Sequence, residues 1–132
     1  MGKLNPETAQ TIWDLQKQLL GIIDTAKTLE LSLFESFGET DRSVIYLNEL
    51  QSIAEQATER FSRFSTFQSR IANAQTPVPS DIIELVNRTI ENTQQKIPAL
   101  ERFYIVTQLV ATALALLQHE VHEYHLVLVR SL

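Results

Sequence analysis

The sequence predicts an all-α protein, a coiled-coil-like bundle of long helices. Three observations carry this. Apolar residues recur at alternating spacings of three and four along most of the chain, the signature of a helix face and not of a strand. Gly and Pro together number only seven, too few for a loop-rich or all-β chain. Three of them fall in "SFGETD" and "TPVPS", the stretches where the apolar periodicity breaks off, so these mark the ends of long segments.

The first helix is expected over about 6–37. Asn5 suits the N-cap, Pro6 the first helical position, and Glu7 the positive end of the helix dipole. Ile12, Leu15, Leu19, Ile22, Ala26, Leu29 and Leu33 follow as a heptad seam, and Gly38 ends it. The second helix is expected over about 41–74, starting near Thr40 or Asp41. Its seam is Leu47, Leu50, Ala54, Ala57, Phe61, Phe64, Gln68 and Ile71. Pro77 and Pro79 then forbid continuation. A link as short as "GET" predicts a long antiparallel helical hairpin, each arm about 50 Å long.

A third helix is expected over 80–97, with Ser80 as N-cap, Asp81 in its first turn, and Ile83, Val86, Ile90 and Ile97 on its seam. Pro98 interrupts it. No turn-forming residue flanks Pro98, and the seam resumes over 98–130 through Leu100, Tyr104, Thr107, Ala111, Leu114, Val121 and Leu128. That favours a kinked continuation over a reversal. A full break would make a four-helix bundle with a short third helix.

The run from Phe103 to Gln118 holds 16 uncharged residues and is apolar nearly all round. A membrane-spanning helix needs about 20 mostly apolar residues, and this run includes Thr107, Gln108, Thr112 and Gln118. The favoured expectation is therefore a buried, central helix flanked by the first two. Other apolar rows remain: Trp13, Leu20, Ile23 and Phe34 on the first helix, and Tyr46, Ile53 and Phe67 on the second. They exceed what a hairpin can bury, which predicts a homo-oligomer, a dimer or higher. The 3.5-residue period predicts shallow left-handed crossings of about 20°.

The chain has the size of one domain, 1–132, long enough to bury a core. A net charge of −5 disfavours a nucleic-acid partner. The lack of cysteine removes disulfides, thiolate zinc sites and cysteine nucleophiles, and agrees with a cytoplasmic location. The opening "MGKLNPETAQ" lacks the apolar run of a secretory signal, and Pro6 breaks the myristoylation pattern.

Two tracts are candidate sites. "QHEVHEYH" holds all three histidines, and His119, His122, Glu123 and His125 are the metal candidates. The histidines fan over about 120° of the helix, whereas converging ligands need one face. A zinc-protease pattern would need His at the position of Glu123, and no Glu stands three residues before a His, as di-iron bundles require. No metal or cofactor is expected. Histidines near a helix C-terminus suit the negative end of the dipole. The second tract, "ERFSRFSTFQSR", sets Arg60, Arg63, Phe67 and Arg70 on one face as a tentative partner-binding surface. Residues 60–80 carry +3, against −6 for 1–59 and −2 for 81–132. The bland reading is a solvated face, with Arg63 paired to Glu59.

No glycine-rich phosphate loop, nucleophile or acid–base pair stands out. What remains is a non-enzymatic protein–protein interaction module, an adaptor, regulator or assembly factor that self-associates with an unknown protein partner. The alternatives are a peripheral membrane or lipid-binding bundle exposing Phe103–Leu117 and Leu126–Val129, which is possible but not favoured, and a metal-binding bundle using "HEVHEYH".

Overall fold

The computed structural model describes residues Leu4–Leu132. The expectations for Met1–Lys3 lie outside the described residues. The protein is all-helical, with three helices packed together and no strand among the described residues. They are α1 (Pro6–Phe37), α2 (Ser43–Asn73) and α3 (Ser80–Ser131).

Local chemistry sets the helix ends. Asn5 Oδ1 accepts from the Glu7 N–H at 2.8 Å, which satisfies one of the orphan donors of the first turn. Gly38 ends α1 with φ +65°, a conformation side-chain-bearing residues avoid, while its N–H donates to Phe34 O at 2.7 Å. Thr40 and Ser43 cap α2 reciprocally. The Ser43 N–H donates to Thr40 Oγ1 at 3.1 Å, and the Thr40 N–H donates to Ser43 Oγ at 2.9 Å. This is the logic of a capping box, with Ser43 in the place usually taken by Glu. The buried Ser43 hydroxyl also donates to Gly38 O at 2.6 Å, so the link is tied to both helices. Ser80 does not cap α3. It is the first helical residue, preceded by Pro79, whose carbonyl accepts from Ile82 and Ile83.

The core follows the heptad seams. Ile12, Leu15, Leu19, Ile22, Ala26 and Leu33 of α1 meet Leu50, Ala54, Ala57, Phe64 and Ile71 of α2, and Ile53 and Phe67, expected outside the α2 seam among the rows left over, are buried in the same core. Val86, Ile90, Ile97 and Leu100 of α3 close the third side. Phe64, Ile12, Leu19 and Leu50 are fully buried. Gln16 is buried too. Its amide and that of Gln68 exchange two hydrogen bonds at 3.0 Å, and Gln16 Nε2 also reaches Ser65 Oγ at 3.3 Å. An amide pair with Gln16 buried and Gln68 half-buried disfavours sliding, because any other register leaves the Gln16 amide unmatched.

Contacts tie the three helices together. Gln16 meets Gln68, Lys27 lines a groove with Ala54, and Leu31 lines one with Leu47. Leu4 and Thr8 line a groove with Ile83 and Val86, and Phe37 lines one with Leu114 and Leu117.

Two expectations are corrected. The separate segments 80–97 and 98–130 are one helix, Ser80–Ser131. Pro98 is exposed, and so is Gln94, whose carbonyl loses its partner to the missing N–H and can be solvated instead. The buried neighbours Ile97 and Leu100 hold the helix on the core across the proline. Second, the last stretch is not central. At 52 residues, α3 is about 78 Å long, against about 48 Å for the 32-residue α1. It outruns the bundle. Its seam is buried at Leu100 and Thr107, half-buried at Tyr104, Ala111 and Leu114, and exposed from residue 115 onward, including Val121 and Leu128.

Candidate interaction surface

The far half of α3 presents three different faces. At 100° per residue, Tyr104, Thr107, Ala111 and Leu114 form the face turned to α1 and α2. About 160° away runs a second apolar face of Val106, Leu109, Ala113 and Leu116, all exposed, with Leu109 at 66% and Leu116 at 61%. Phe103, Ile105 and Leu117 widen it, and they are exposed as well. Between these faces, about 100° from each, lies a polar strip of Glu101, Gln108, Thr112 and His119. By length and composition α3 is apolar enough to cross a membrane. Most of its apolar surface is nevertheless wet within the single chain, which overturns the expected burial of Phe103–Gln118.

An open groove of about 760 Å³ separates the α1–α2 link from this part of α3. Phe37, Thr40, Asp41 and Arg42 form one wall, and Leu114, Leu117, Gln118, Val121, His122 and His125 form the other. Its lining is mainly apolar, and Asp41 and Arg42 supply opposite charges on the link side.

The histidine tract does not converge. His119 Nε2 lies 3.9 Å from Glu123 Oε1 on the outer surface, while His122 and His125 face the groove. Among the described residues, no group of three or more His, Asp or Glu side chains is arranged to hold a metal.

The arginine tract is split as well. Phe67 is 9% exposed and belongs to the core. The Arg60 guanidinium donates to Thr93 Oγ1 of α3 at 3.3 Å and is half-buried. Desolvation by that burial, and then the neighbouring charge of Arg63, lower the Arg60 pKa from its ordinary value. Arg63 pairs with Glu59 at 2.7 Å on the surface, and Arg70 is exposed. The four do not share one exposed face. Arg60 joins α2 to α3, a role the spacing alone did not reveal. Gln16 was also missed, because a glutamine at the edge of an apolar seam reads as surface. Burial and Glu101 push the half-buried Tyr104 phenol up from its ordinary pKa.

No family model, curated protein or solved structure matches this chain. The functional reading therefore rests on the surface itself.

Proposed function

We propose that the protein is a non-enzymatic interaction module that works by self-association, with an antiparallel α1–α2 hairpin as scaffold and α3, running on through Pro98, as the contact element. The observation that carries this is the wet apolar face of α3 from Phe103 to Leu117. Contiguous exposed apolar surface of this kind marks an interaction site on a soluble protein. The test is the mass of the full chain by light scattering, from low to high micromolar concentration. A mass of two or more chains supports the reading. A monomer throughout defeats it.

The length and apolarity of α3 favour a second reading, association with a membrane. Two features argue against it. The polar strip would face hydrocarbon in a spanning helix. A surface-lying helix would be held best by lysines and arginines on its polar face, and that strip offers none between Glu101 and His119. Co-sedimentation with vesicles containing phosphatidylserine distinguishes the two readings.

A further inference from the structure

Resting on that self-association, we propose how the copies meet: α3 pairs antiparallel with α3 of a second copy, about a two-fold axis at Ala111. The stripe Arg102, Val106, Leu109, Ala113, Leu116 and Glu120 has spacings 4, 3, 4, 3, 4, and all six residues are exposed. It is a heptad seam on the side of α3 away from its own bundle. Its ends carry opposite charges 18 residues apart, which is five helical turns at about 3.6 residues per turn, so both project from the same azimuth. Neither Arg102 nor Glu120 joins an ion pair among the described residues.

When residue n of one copy faces residue 222 − n of the other, Val106 meets Leu116 and Leu109 meets Ala113, each pair occurring twice. Large side chains then face smaller ones, and Arg102 closes each end against Glu120 of the other copy. The same register sets Phe103 beside Leu117, so the exposed residues flanking the stripe are covered too. The parallel arrangement places Arg102 against Arg102 and Glu120 against Glu120, which like-charge repulsion opposes. The polar strip stays in water and the two bundles lie on outer sides. A second copy is favoured over an unrelated helix because this stripe is complementary to its own reverse.

The chain has no cysteine, so introduced ones report cleanly. The experiment mixes Val106→Cys with a mass-tagged Leu116→Cys in the full-length protein and oxidises the mixture. The expected product is the mixed disulfide. Val106→Cys should not link to itself, because antiparallel copies hold the two positions about 15 Å apart along the axis (ten residues of rise), beyond disulfide reach. Dominant Val106→Cys self-linking in a protein that still dimerises overturns the antiparallel register and leaves self-association standing. A monomer at every concentration overturns both. A charge swap gives a second measurement without cysteine. Arg102→Glu should weaken the dimer roughly tenfold or more, and adding Glu120→Arg should restore it to within about threefold. Failure of the double swap to restore affinity overturns the pairing of these charges.

Discussion

Leu50→Ala and Leu116→Ala together test where the core ends. Leu50 is fully buried between the helices, so truncation opens a cavity that three packed helices cannot close. Such changes cost about 2–5 kcal/mol, and full burial in a rigid seam points to the upper half of that range. For a chain of this size that is a loss in Tm of roughly 10 °C or more. Leu116 is 61% exposed in the single chain, so its truncation leaves no cavity there and should cost within about 0.5 kcal/mol. The assay is chemical and thermal unfolding of both variants at two protein concentrations, one below and one above the midpoint of self-association. Leu50→Ala should lose stability at both. Leu116→Ala should match the wild type when dilute and fall behind it only when concentrated, because the contact it weakens exists only in the assembly. Equal, concentration-independent losses for both variants would refute the reasoning, since Leu116 would then belong to the core of one chain.

Three further outcomes are expected. Gly21 is exposed in the middle of α1 with nothing near its missing Cβ, so Gly21→Ala should stabilise by about 0.5–1 kcal/mol, while Gly38→Ala, equally free of neighbours but at φ +65°, should destabilise by about 1–3 kcal/mol; denaturant midpoints measure both. Gln16→Leu strands the Gln68 amide and should cost about 1–3 kcal/mol, whereas Gln16→Leu with Gln68→Leu should recover most of that loss, as a double-mutant cycle reads directly. Replacing His119, His122 and His125 by Gln should change stability by less than about 0.5 kcal/mol; elemental analysis should find no stoichiometric metal lost, and near-stoichiometric zinc in the untreated wild type would contradict this.

The seams of α1 and α2 were legible because both helices have a single buried face. Ile12 through Leu33 and Leu50 through Ile71 alternate in the spacing that burial demands, and the caps at Asn5 and Gly38 follow from residue chemistry. In α3 the same periodicity misled. Thr107 and Leu114 keep the rhythm, but rhythm records which side chains can share a face and not whether another helix reaches that far. α1 ends at Phe37 and α2 begins at Ser43, and the shelter they give α3 fades beyond Leu114. Helix length decided this, and the sequence-based boundary at Pro98 hid it by making the last segment appear to match α1 and α2. The arginine tract misled in the opposite way. The four residues span about 80° of helix surface, but Phe67 is buried and Arg60 half-buried on the side that turns inward, so that surface is part core and part solvent.

The overhang also bears on whether α3 is helical at all when the chain is alone. Residues 115–132 are all exposed, and within the chain they border only the open groove beside the α1–α2 link, so little tertiary contact supports their helix. Isolated helices of this length are marginal in water, and Val121, Val127 and Val129 lower the local propensity further. Their helix must draw its stability from whatever covers them. With the partner helix in place, backbone ordering is offset by burial of side chains that otherwise stay wet. The 18 residues concerned are about a seventh of the chain, so the helical ellipticity at 222 nm should rise by up to that fraction as the protein is concentrated through its association midpoint. Amide hydrogen exchange should report the same event at residue level, with 115–132 fast in dilute solution and slowed in concentrated solution, while the α1–α2 core stays protected in both. Ellipticity and exchange that ignore concentration while light scattering shows a dimer would mean that the copies meet elsewhere, through the exposed Trp13 and Leu20 of α1 and not through α3.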